Sequence, residues 1–158
     1  MMGLKSPSAS LWAAVAAALL LAAPSPAETI AAARRKVIKQ TMPYLNVPYL
    51  WGGMHPQTGL DCSGFTQLVY HRAGLTLPRV SHDQFVATKY LKPAEVLPGD
   101  LVFFAMKHPG TAEVDHVGIY VGKGLFVAAS VTNGIHVDRI SNPYYLERLI
   151  GIRRYGGF

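Results

Sequence analysis

Gly59-Leu60-Asp61-Cys62-Ser63-Gly64-Phe65-Thr66-Gln67-Leu68-Val69-Tyr70-His71-Arg72-Ala73-Gly74 is the stretch on which the reading of this chain turns. The residues ahead of it are dense in helix breakers: Pro48, Gly52, Gly53, Pro56 and Gly59 describe a loop. From Ser63 to Ala73 the apolar Phe65, Leu68 and Val69 recur at helical spacing, and Gly74 supplies a stop. Cys62, the one cysteine of the chain, therefore stands where a glycine-rich loop becomes a helix. Unpaired backbone N–H groups and the positive end of the helix dipole favour an anion there. A thiol at such a place is expected to shift towards thiolate, its reactive form, and the same N–H groups suit an oxyanion forming on a substrate carbonyl. Asp61 is suited to cap the helix, a role compatible with contacting substrate.

Upstream, Glu28–Met42 reads as an amphipathic helix. Ile30, Val37, Ile38 and Met42 form its apolar side, Arg34, Arg35, Lys36 and Lys39 its solvated side, and Pro43 its end. Downstream, a short helix is expected over Ser81–Thr88, and Leu97-Pro98-Gly99-Asp100 is a turn signature. The period then changes. Leu101–Ala105, His116–Val121, Leu125–Ala129, Gly134–Val137 and Ile150–Arg154 read as strands, with a helical turn over residues 142–148. Helices first and antiparallel strands afterwards predict an α+β fold rather than a βαβ repeat. In such a fold a cysteine early on a helix can face a histidine carried by a much later strand.

The 158 residues suit one domain, and an apolar fraction of 50% against 15% charged residues describes a globular protein. Met1 to Lys5 carry positive charge and lead into the apolar run Leu11–Ala23, followed by Pro-Ser-Pro-Ala-Glu. With small residues at Ser25 and Ala27, this pattern predicts a signal peptide over residues 1–27, cleaved before Glu28, and a single domain over 28–158. The run falls short of the roughly 20 apolar residues a membrane span needs. No cysteine flanks the junction to carry a lipid. Export to the periplasm, the cell wall or the medium is expected, without stable membrane insertion. Taking away one lysine leaves 14 basic against 9 acidic residues, a balance of +5. That charge suits an anionic polymer such as the bacterial wall and equally suits plain solubility. No Lys/Arg run is interleaved with aromatics, so nucleic acid is not an expected partner. A lone cysteine excludes an internal disulfide or a Cys-rich metal site, and the histidine spacings give no ligand cluster. No metal or other cofactor is expected. A free thiol in an exported protein asks for a reason, the bland one being an inert buried side chain.

A nucleophilic thiol needs a group that takes and returns its proton, and histidine does so near neutral pH. Six histidines are present. His71 follows Cys62 by nine residues on the same helix, about 13 Å along its axis, and reads as exposed. His55 and His108 lie in Pro/Gly-rich loops, and His82 reads as a half-exposed residue at a helix start. His116 opens the apolar strand His116-Val117-Gly118-Ile119-Tyr120-Val121-Gly122, with Gly118 allowing a close approach, and is the histidine best placed to meet a helix N-terminus.

Five pieces in order, Tyr49-Leu50-Trp51-Gly52-Gly53, Asp61-Cys62-Ser63-Gly64-Phe65, Leu77-Pro78-Arg79, Leu97-Pro98-Gly99-Asp100-Leu101 and Asp115-His116-Val117-Gly118-Ile119-Tyr120, resemble the NlpC/P60 peptidases. The resemblance runs from about residue 30 to the C-terminus. It implies a papain-like fold, with a Cys-bearing helix packed on an antiparallel sheet bearing the His. It implies hydrolysis of cell-wall stem peptides, commonly between D-γ-glutamyl and diaminopimelate. Carried over by position, Cys62 is the nucleophile and His116 the general base. Tyr49 contacts the substrate or the oxyanion, and Asp61 and Ser63 hold the free amine of an N-terminal L-alanine. Arg79 falls where the family often has arginine, in a substrate role or a surface salt bridge. Gly52 and Gly53 are expected to keep the groove floor open, and Trp51 to pack in the core. The family commonly carries a third polar residue on the strand after the base. Here that strand reads Phe126-Val127-Ala128-Ala129-Ser130, and the aligned Ala128 can neither orient an imidazole nor stabilise its cation. Three explanations stay open: a Cys–His dyad, a substitute among residues such as Ser130, Asn133 or His136, or a groove that binds wall peptides without cutting them.

Overall fold

The computed structural model describes residues 25–158. The expected signal segment lies outside these apart from its last three residues. Helix α1, Pro26–Thr41, starts two residues before the expected junction. Ser25 caps it reciprocally with Glu28, each side chain bonding the other's backbone N–H. Its inward face is narrower than the sequence pattern suggests. Val37 and Thr41 are fully buried, whereas Ile30 and Met42 are exposed. A single 3₁₀ turn, Met42–Tyr44, carries the chain into the loop of residues 45–58, where a two-residue hairpin forms from β1, Met54–His55, and β2, Gly59–Leu60.

Helix α2, Cys62–Arg72, drives Phe65, Val69 and Tyr70 fully into the core, and Gly74 (φ +89°) releases the chain from its C-terminus. After it come α3, Ser81–Val86, β3, Thr88–Tyr90, and a 3₁₀ turn over Pro93–Glu95. The remaining elements are β4, Leu101–Phe104, β5, His116–Gly122, β6, Leu125–Ser130, β7, Gly134–Arg139, α4, Pro143–Leu146, and β8, Leu149–Tyr155. Six strands make one antiparallel sheet in the order β3-β8-β4-β5-β6-β7. The fold is α+β, as expected.

Alternation along the strands sorts side chains into two cores. Leu101, Phe103, Val117, Ile119, Val127, Ala129 and Ile135 face the layer of α1 and α2. Val102, Phe104, Phe126 and Ala128 point the other way, where Tyr145 of α4 covers them. Two expectations shift. The helix expected to reach Thr88 stops at Val86, because Thr88 enters the sheet. There the Arg153 guanidinium donates to the Thr88 hydroxyl (2.9 Å) and carbonyl (2.7 Å). Gly118, expected to ease an approach to the helix, serves strand packing instead. A Cβ there would stand 2.9 Å from the Phe126 ring and 3.1 Å from the Ala128 Cβ. Among the described residues no helix is long and apolar enough to cross a membrane.

Candidate active site

Asp61 caps α2 through a 2.6 Å bond from the Gly64 N–H, and Cys62 is the first residue of the helix. The loop ahead is pressed against this turn. Gly64 packs so closely that a Cβ would lie 2.3 Å from the Gly53 carbonyl, and one on Gly53 would lie 2.4 Å from the Gly59 carbonyl. Gly53 therefore serves backbone-to-backbone packing rather than an open floor, while Gly52 donates its N–H to Asp61 (3.0 Å) and lines the cleft. Gln84 of α3, fully buried, braces the same turn by donating to the carbonyls of Ser63 (3.0 Å) and Pro78 (2.9 Å).

Arg79 closes a polar cluster with Asp61 and Ser63. Its guanidinium donates to both Asp61 oxygens (3.0 and 2.7 Å) and to the Ser63 hydroxyl (2.9 Å). The paired geometry of fork and carboxylate makes this a well-defined ion pair. It faces the cleft that also holds Cys62.

That cleft, about 490 Å3, is lined by Tyr49, Cys62, Asp61, Ser63, Arg79 and His116, with Trp51, Lys107 and Asp115 at its margins. A second hollow of about 430 Å3 adjoins it, shares Tyr49 and His116, and continues past Ser130, Asn133, Asp138 and Tyr144. Tyr49 and His116 thus stand at the midpoint of a groove with two arms. Trp51 is 79% exposed beside the Lys107 ammonium (5.8 Å from the ring centroid), not in the core. Of the other five histidines, His55, His71, His82 and His108 are exposed and outside this groove, and His136 is half-buried on β7.

Burial sets the protonation of the central pair. It pushes the Cys62 thiol up to about 11, outweighing the backbone hydrogen bonds from Val117, Ser63 and Cys62 itself that pull the other way; the charge of Asp61 raises it further. The expected shift towards thiolate is thus reversed, because the helix N-terminus acts on a sulfur that is almost fully enclosed. Burial likewise holds His116 down to about 4, with Asp115 opposing and His136 reinforcing the shift. Tyr49 is kept protonated by burial and then by the nearby Cys62 and Asp61. At neutral pH the site rests as thiol and neutral imidazole. Val117, whose backbone N–H favours the thiolate, is the residue after His116 on β5.

Three supporting groups escape a reading of the sequence alone. Asp115 fixes the loop before His116 by accepting from the N–H groups of Met106 (2.7 Å) and Lys107 (2.8 Å). Gln84 and Lys107 act from elements whose approach no local pattern announces. Asp115, being adjacent to the histidine, was the one available signal.

A helix-borne cysteine and a strand-borne histidine meeting in one groove define a papain-like α+β fold. The chain belongs to the NlpC/P60 family, whose pattern it matches over residues 46–154. It is 41% identical over 118 residues to the bifunctional muramidase/DL-endopeptidase CwlT of Bacillus subtilis, covering 75% of this chain and 35% of that protein. It is 34% identical over 126 residues to the murein DD-endopeptidase MepH of Escherichia coli, covering 77% of this chain and 46% of that one. Among solved structures, an NlpC/P60 protein of Bacillus cereus superposes with a TM-score of 0.71 at 32% identity, covering 77% of this chain and 40% of that chain. The chain spans less than half the length of these relatives.

Proposed function

We propose that the protein is an exported cysteine peptidase that hydrolyses peptidoglycan stem peptides, at the bond between D-γ-glutamyl and diaminopimelate. The observation that carries this is Cys62, first residue of a helix, lining one cleft with His116. The relatives named above, a DL-endopeptidase and a murein DD-endopeptidase, support the substrate class. Export follows from the N-terminal segment, with residues 1–27 removed and 28–158 forming the working domain.

The chemistry starts from a neutral pair. As the Cys62 sulfur attacks the scissile carbonyl, His116 takes the thiol proton, so that no free thiolate need accumulate. The carbonyl oxygen gains the negative charge, which the N–H groups at the start of α2 and the Tyr49 hydroxyl receive. His116 then protonates the leaving amine, and a thioester remains on Cys62. Water, deprotonated by His116, cleaves the thioester and restores the thiol. Asp61, Ser63 and Arg79 close one arm of the groove and receive the amine of an N-terminal L-alanine. Arg79 shares the carboxylate, so the amine meets a polarised pair rather than a bare anion.

Ala128 favours a second reading, a wall-peptide binder without turnover, because a methyl group cannot orient His116. One experiment separates them. Mature protein incubated with muropeptides is expected to release fragments divided between γ-D-Glu and diaminopimelate, identified by mass spectrometry. Cys62→Ala should lower that rate at least 1,000-fold. Cleavage at the wild-type rate by Cys62→Ala would overturn the mechanism; binding of intact peptidoglycan with no product would establish the binder.

A further inference from the structure

The His116 ring packs against Phe104 (5.9 Å between centroids), and no side-chain hydrogen bond contributes to its titration among the described residues. A base that takes a proton at one nitrogen works best when its other N–H is directed by an acceptor. Ala128 offers only a methyl group. The sheet register brings another side chain to the same place. Ala128 pairs directly with His136 on β7, and directly paired residues of antiparallel strands share a face. Residues 116 and 118 lie on that face too, since a Cβ on Gly118 would meet the Ala128 Cβ at 3.1 Å. His116, Ala128 and His136 therefore sit on one face of three adjacent strands, with the smallest side chain in the middle.

His136 is poised as an acceptor. Its Nδ1 lies 3.2 Å from the Gly134 carbonyl, which can only accept, so Nδ1 carries a proton and, in the neutral ring, Nε2 keeps its lone pair. Nε2 is buried without a hydrogen-bond partner, and Asp138, 3.6 Å away, is beyond bonding distance. An unpaired buried acceptor is costly unless something supplies a donor. A charge on His136 opposes one on His116, so a cation on the base favours a neutral His136.

We propose that His136 is the positioning residue of His116, its Nε2 accepting the N–H of the base ring over the space left by Ala128. The lost third residue of the site is thus replaced from the neighbouring strand. This rests on Cys62 and His116 being the reacting pair. When His116 takes the Cys62 proton, its N–H bonds to the unpaired Nε2 of His136, and the Asp138 carboxylate behind His136 offsets the new positive charge. The other titratable groups around the row are Asp115 and Tyr49 beside His116, and Tyr145 of α4, which is hydrogen-bonded to Asp138.

The test pairs turnover with the pH dependence of Cys62 alkylation by iodoacetamide, read in the whole mature protein. His136→Ala is expected to lower kcat on muropeptides 10- to 100-fold with KM within twofold, and to shift the alkylation profile. His136→Gln, which keeps an acceptor, should retain more activity than His136→Ala. Adding Ala128→His to His136→Ala should recover at least tenfold. Wild-type kcat and an unmoved alkylation profile in His136→Ala would overturn the proposal while leaving the peptidase reading intact. So would a loss that neither His136→Gln nor the added Ala128→His relieves. If the wild type turns over no stem peptide yet His136→Ala still shifts the alkylation profile, the peptidase reading falls and the positioning role stands.

Discussion

The turn that presents Cys62 is held by contacts with no slack, and Gly64 is where this can be measured. A methyl at residue 64 would sit 2.3 Å from the Gly53 carbonyl, backbone against backbone, with no flexible side chain to yield. Gly64→Ala is therefore expected to push the loop of Gly52 and Gly53 off α2 and loosen the Gly52 bond to Asp61. It should cost about 2 kcal/mol in urea unfolding and lower kcat as well. A variant as stable and active as wild type would show that the loop moves freely. Which residues meet in the groove was legible in the sequence: a single cysteine at a loop–helix junction and a histidine opening a strand require no tertiary information to be singled out. Their protonation was not legible. The helix N-terminus is a local property, whereas the burial that raises the thiol to about 11 comes from β5 and the loop, which arrive from elsewhere in the chain. Trp51 was misread for a related reason: large aromatics usually pack inside, but the loop turns this one out over the groove.

At the scale of elements, the site depends on how α1, α2 and the sheet are tied together. Asp100 is the tie. Fully buried at the turn before β4, it accepts from Arg34 of α1 (2.9 Å), from Arg154 of β8 (3.0 Å to each oxygen) and from the Leu97 N–H (2.8 Å). Beside it the Tyr70 hydroxyl of α2 donates to the Gly99 carbonyl at 2.5 Å. Asp100→Asn removes the charge that two guanidinium groups share and should destabilise the fold by about 3 kcal/mol in chemical denaturation. Double replacement of Asp100 by Asn and Arg154 by Leu should cost less than the sum of the two single changes, which a double-mutant cycle reads directly. Strand and helix periods identified every long element here, because amphipathic pattern reflects the face each one buries. The short pieces escaped. β3 and the Met54–Leu60 hairpin have two or three residues per strand, too few for any period, and exist because Arg153 and the Gly53–Gly64 packing hold them.

For the molecule as a whole, burying a thiol and an imidazole at one site makes stability depend on pH in two opposite senses. His116 titrates near 4 when folded against an ordinary value of 6.5, so between these the unfolded chain binds the extra proton. Its contribution is complete above pH 6.5 and is lost as pH falls towards 4. Cys62 titrates near 11 when folded against 9.0, so its contribution is complete below pH 9 and is lost as pH rises through 11. The two together define a plateau of stability from about pH 6.5 to 9. Calorimetry should show Tm falling by about 5 °C on the acid side through this histidine alone, since the ring is partly open to the groove and solvent screens part of the effect. His116→Asn removes the titrating group and should flatten that part of the acid limb, while Cys62→Ser should flatten the alkaline limb and leave the acid one. An acid limb unchanged in His116→Asn would mean that this histidine does not set it. The same measurement bears on the proposed catalysis: if His116 is the base, staying neutral down to about pH 4 leaves it competent well into acid, so activity and stability should part company below pH 6, activity persisting while Tm declines.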